Sequence, residues 1–203
     1  YALASTITSP AVIGTTLTEL RRAQPGVWDD GDALVVKIPG GQGLQSVSDT
    51  ALLAGANTIA VGDGSPGLWE IIQFREANLV APNTYELRRR LRGQLGSDAV
   101  VPAVWPVGSQ VIVLSSALRQ VLLSASLRGL ALHVRTGALG RGPEDASVIA
   151  RTEEFQGNGL RPYAVAHLRA VDQTDGSTGF AWIRRTRVGG DSWQSFEVPL
   201  AED

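Results

Sequence analysis

Between Leu68 and Phe74 apolar side chains occupy both sides of an extended chain, and this narrows the fold more than any other feature. Successive side chains of a strand alternate, so Trp69 and Ile71 face one way while Leu68, Ile72 and Phe74 face the other. A strand that is apolar on both sides needs cover on both, in the middle of a sandwich or between a sheet and a covering segment. The pattern makes Trp69 a core residue. Ala81-Pro82-Asn83 then turns the chain, because proline pre-sets φ for the second turn position and asparagine tolerates the tight position after it. Tyr85 and Leu87 begin the returning strand.

The rest of the chain reads as short strands and turns. No window sustains apolar residues at 3.6-residue spacing, which predicts an all-β protein with no helix longer than two turns. Strands are expected over 11–20, 33–38, 59–61, 110–114, 120–132, 131–135 and 151–155. Ser48 offers an N-cap for one helical turn over 51–54, which Gly55 can end. From Pro162 onward the pattern becomes 164–171, a polar turn, 179–184 carrying Trp182, and 195–198. Short strands with a buried tryptophan on the second are how a fibronectin type III-like sandwich begins, and fewer residues remain than the ~100 such a domain needs. The expected division is a multi-stranded sandwich or barrel-like β-domain over residues 1–156, followed by a partial fibronectin type III-like domain over 162–203.

Three motifs suggest chemistry and are better explained by structure. Gly62-Asp63-Gly64-Ser65-Pro66-Gly67 matches the glycine spacing of a dinucleotide loop but opens a strand where that loop must open a helix. Asp29, Asp30 and Asp32 lack the spacing and the distal acid of a calcium-binding loop, and read as a polar turn. Arg88, Arg89, Arg90 and Arg92 could contact an anion, since guanidinium forks match phosphate oxygens. The plainer reading is a solvated face neutralised by Glu70, Glu76 and Glu86.

A catalytic set is not apparent. His133 and His167 lie on separate strands, no serine sits in a nucleophile elbow, and the neighbouring acids Glu153 and Glu154 point to opposite faces of a strand. No catalytic, cofactor-binding or metal-binding residue is assigned, and no cofactor is expected. The chain has no cysteine, so thiolate chemistry is excluded, and a formal charge of -2 gives no bulk attraction to nucleic acid or membrane. Neither a signal peptide nor a spanning segment is visible. The absence of methionine and the start at Tyr1 suggest a fragment of a longer polypeptide.

The runs Leu68–Ala77, Leu79–Leu87 and Leu91–Gly96, with Ala181–Arg187 and Gly190–Trp193, resemble the C-terminal region of the large tail-tip protein of gene transfer agents and related long-tailed phages. That protein is sometimes called the megatron, and is similar to host-specificity proteins of lambdoid tails. The resemblance implies a non-enzymatic virion structural protein at the tail tip or baseplate, serving DNA delivery and host attachment. It also implies other tail-tip proteins as partners, a homotrimer in the particle, and a location on the tail of a virion-like particle. A second reading is a carbohydrate- or receptor-binding module, with Trp28, Trp105 and Trp193 near turns as stacking platforms for a host cell-surface glycan. A wall-degrading hydrolase is a third, and it would need two acids or a metal set converging in a pocket.

Overall fold

The computed structural model describes residues 2–40, 43–161 and 165–183. The chain divides into two units, Tyr1–Gly157 and Asn158–Asp203. In the first unit, β1 (Ile13–Thr16), β2 (Leu20–Arg21), β3 (Trp28–Asp29) and β4 (Leu34–Lys37) precede a short α-helix, α1 (Asp49–Leu53). After it come β5 (Thr58–Gly62), β6 (Trp69–Ala81), β7 (Thr84–Gln94), β8 (Val104–Trp105), β9 (Gln110–Val113), β10 (Ala131–Thr136) and β11 (Ile149–Glu154). The second unit contributes β12 (Ala166–Asp172) and β13 (Thr178–Ile183).

Six strands close into an antiparallel barrel in the order β7-β4-β1-β9-β5-β6, and the β6–β7 pairing seals the ring. The all-β expectation therefore holds, and the first domain is a barrel. Closure removes the sheet edges that a short open sheet would leave unpaired. Alternation along each strand delivers Leu34 and Val36, Ile59 and Val61, Ile72 and Phe74, and Val111 to one shared core with Leu20, Ile38, Tyr85, Leu87 and Trp105. The turn between β6 and β7 forms where proline and asparagine predict it, with Asn83 at φ 56. Ser48 caps α1 as expected: its Oγ accepts from the Ala51 amide at 3.2 Å.

Four expectations need correction. Trp69 is only half-buried and lies beside Gly62, its cross-strand partner, whose bare Cα the indole approaches closely. Trp105, read as a stacking platform near a turn, is instead buried in the core. Residues 120–132 form no long strand. Instead Ser124 Oγ accepts from the Ser126 amide and opens a 3-10 turn over Ala125–Leu127, an example of a short polar side chain competing with the ladder. Trp182, expected in a sandwich core, is 55% exposed on a hairpin in which, among the described residues, β13 pairs with β12 alone. The strand expected over 195–198 lies outside the described residues.

Candidate functional site

The barrel interior holds charge. Glu70 is on the same side of β6 as Ile72 and Phe74, so alternation carries a carboxylate into the core. On β7 the buried positions are Tyr85 and Leu87, then Arg90 and Arg92: the parity changes between 87 and 90. Arg89 causes this change. It adopts a left-handed φ of 49, a conformation that side-chain-bearing residues other than Asn and Asp seldom take, and it turns its neighbours to the opposite face.

Each charge in the cluster is matched. Arg92 grips Glu70 with two parallel bonds, Nε to Oε1 at 2.7 Å and Nη2 to Oε2 at 2.8 Å. The Gly93 amide donates to Oε1 at 3.2 Å, and the Trp105 indole donates to Oε2 at 2.8 Å. Gly93 is at φ 59, and a Cβ there would come within 2.6 Å of Asp98 Cβ, so glycine alone lets this amide reach the carboxylate. Arg92 Nη1 donates to Asp29 Oδ2 at 3.0 Å and to the Arg21 carbonyl at 2.9 Å. Arg90 Nε also donates to Asp29 Oδ2 at 3.0 Å, while its Nη1 reaches the Leu87 carbonyl at 2.8 Å. Two cations and two anions thus share one buried network.

The sequence-derived site residues scatter. Arg90 and Arg92 are not a solvated face and offer no anion contact, because burial and two carboxylates claim their donors. Arg88 is exposed and lies 3.5 Å from Glu86, while Arg89 stacks over the Trp28 ring at 5.0 Å. Trp105 has no free face for a sugar, since it is 1% exposed with its N–H on Glu70. Trp28 is partly exposed. Trp193 lies outside the described residues. His133 Nδ1 sits 3.1 Å from Thr152 Oγ1 on the exposed β10–β11 hairpin, and His167 is exposed at a bulge in β12. Sequence reasoning missed the Glu70–Arg92–Trp105 network. The available signal was an acid in the alternation of Leu68, Ile72 and Phe74.

A family model described as Rcc01698-like, C-terminal, matches residues 11–112, half of the chain. The chain belongs to that family. No match was found among curated proteins. The matched range runs from just before β1 to the penultimate residue of β9, so the Rcc01698-like domain coincides with the closed barrel.

In this family member the charge cluster is built to hold rather than to react. A carboxylate has about four lone-pair directions. All four on Glu70 are engaged by donors, which leaves no acceptor for a substrate proton. Among the described residues no group of three or more His, Asp or Glu could hold a metal ion. No helix among them is long and apolar enough to cross a membrane.

Acid should loosen the Rcc01698-like barrel at Asp29. Burial pushes this carboxyl up, but the Arg90 charge and hydrogen bonds from Arg92, Gly31 and Arg90 outweigh it and hold the group below its ordinary value of 3.8. The unfolded chain therefore takes up the proton first. The stabilisation is complete above the ordinary value and is lost as pH falls through the lower folded one. Urea midpoints measured from pH 6 to pH 2 should decline below about pH 4, using the ordinary aspartate range as the guide. Asp29→Asn should flatten part of that decline, and an unchanged profile in the variant would remove Asp29 from the acid response.

Proposed function

We propose that the chain is a structural component of the tail tip or baseplate of a gene-transfer-agent or phage-like particle, contributing β-domains to the distal end of the DNA-delivery tube and to host-cell contact. Membership of the Rcc01698-like family over residues 11–112 supports this reading, as does the resemblance over Leu68–Gly96. The observation that carries it is the contrast between the barrel and the hairpins C-terminal to it. Every buried hydrophobic residue among those described lies at or before Val111.

Beyond the barrel, apolar side chains stand in solvent: Leu122, Leu139 and Ile149 in the first unit, and Phe180 and Trp182 in the second. The β10–β11 and β12–β13 pairs are two-stranded hairpins without a third strand among the described residues. Such hairpins are marginal in water and gain stability when another surface covers their apolar side chains. Neighbouring tail-tip subunits supply that cover in the assembled particle, with the threefold arrangement that the resemblance implies. The chain then works on the particle's tail rather than as a free monomer.

Catalysis has less support. A wall-degrading hydrolase needs acids free to exchange protons, and the paired acids inside the barrel, Glu70 and Asp29, are tied to arginines. The test is deletion of residues 11–112 from the tail protein of a particle-producing strain, followed by counts of assembled particles and of DNA delivered. Loss of intact tail tips is expected. Particles that assemble and deliver normally would overturn the structural reading, and particles that assemble but fail to attach would move the role to receptor binding.

A further inference from the structure

We propose that Arg89 and Trp28 form a receptor on the outer face of the barrel for the carboxylate of an acidic, uronate-type saccharide. This goes beyond the structural role above and does not depend on it. Trp28 pairs with Leu91 and Asp29 with Arg90, so the tryptophan and aspartate side chains leave β3 on opposite sides. Asp29 enters the core, and Trp28 takes the outer surface.

Arg89 lies across that indole with its guanidinium carbon 5.0 Å from the ring centroid. Its left-handed backbone carries a conformational cost that no side-chain hydrogen bond of its own offsets among the described residues. Its neighbours Arg90 and Arg92 are each held by carboxylates, whereas Arg89 has no acceptor among the described residues. Nε is closed off from solvent and unpaired, while the residue as a whole is partly exposed. A partly desolvated cation thus faces the outer surface with no anion among the described residues.

With Nε closed off, the two Nη groups are the edge left for a planar carboxylate, which takes two parallel N–H bonds from them and offsets the partly desolvated charge. A sugar ring carrying that carboxylate would rest its C–H face against the exposed part of Trp28. The spot is one arginine and one indole. This is sugar-sized, and far short of the ~800 Å² per partner that a stable protein interface buries.

The test uses the full chain and an oligogalacturonate as probe, titrated calorimetrically at low salt, with a neutral oligosaccharide of equal length and an oligoglutamate as comparisons. The oligogalacturonate should bind and the neutral sugar should not. Arg89→Gly is the informative variant, because glycine accepts the left-handed backbone without strain. It should keep or raise the Tm while weakening oligogalacturonate binding at least about tenfold, as loss of a charged hydrogen bond implies. Arg89→Lys keeps the charge without the fork and should fall between. Equal binding by wild type and Arg89→Gly, no binding of the oligogalacturonate, or tighter binding of oligoglutamate would each overturn the assignment.

Discussion

Replacing Glu70 with alanine should lower the stability of the barrel by about 3–5 kcal/mol, the range found when one member of a buried ion pair is removed. The cause is less the lost attraction than the charge left behind. Arg92 is 1% exposed, and without Glu70 two of its donors point into the core with nothing to accept them. Trp105 and Gly93 lose their acceptor at the same time. Asp29 holds only one edge of the guanidinium and does not replace it. Glu70→Gln keeps the shape and some of the hydrogen bonds but not the charge, and should cost less. Removing both charges as Glu70→Leu with Arg92→Met should recover much of the loss, since apolar packing often equals a buried pair. Urea unfolding of wild type, Glu70→Leu, Arg92→Met and the double variant gives the cycle, and either single variant as stable as wild type would show that the pair is not buried in solution.

Trp105→Ala should cost a similar ~3–5 kcal/mol by a different route, the cavity left by a large core side chain. Trp105 belongs to a strand of only two residues, Val104–Trp105, paired to Leu20–Arg21. Its indole fills the core beside Leu20, and its N–H completes the shell around Glu70. Trp105→Phe separates these contributions. It keeps most of the apolar volume and strips one donor from a charged acceptor, a loss of about 1.5–3 kcal/mol. Phenylalanine should therefore lie between wild type and alanine, and a phenylalanine variant indistinguishable from wild type would deny the hydrogen bond its role.

The central hairpin was legible because its determinants are local. Pro82 and Asn83 specify the turn, Ser48 and Gly55 bracket the one helical turn, and β-branched or aromatic residues mark most strands. The interior charges were not legible, because strict alternation from Tyr85 and Leu87 puts Arg90 and Arg92 outside. Only the left-handed backbone at Arg89 reverses that, and nothing in an arginine side chain announces such a φ. The ring into which the central hairpin is built rests on the β1–β9, β4–β7 and β5–β9 pairings, which are distant in sequence and which short patterns do not encode. Trp182 departs from expectation for a related reason: among the described residues β13 pairs with β12 alone, and no second layer covers the tryptophan.

A three-dimensional reconstruction of the particle's tail tip tests the central claim most directly. It should place the six-stranded barrel near the distal end of the tube in symmetry-related copies, with neighbouring chains covering Ile149 on β11 and the exposed Phe180 and Trp182 of β13. A tail tip without the barrel, or with the barrel present and these residues bare in every copy, would contradict the assembly role.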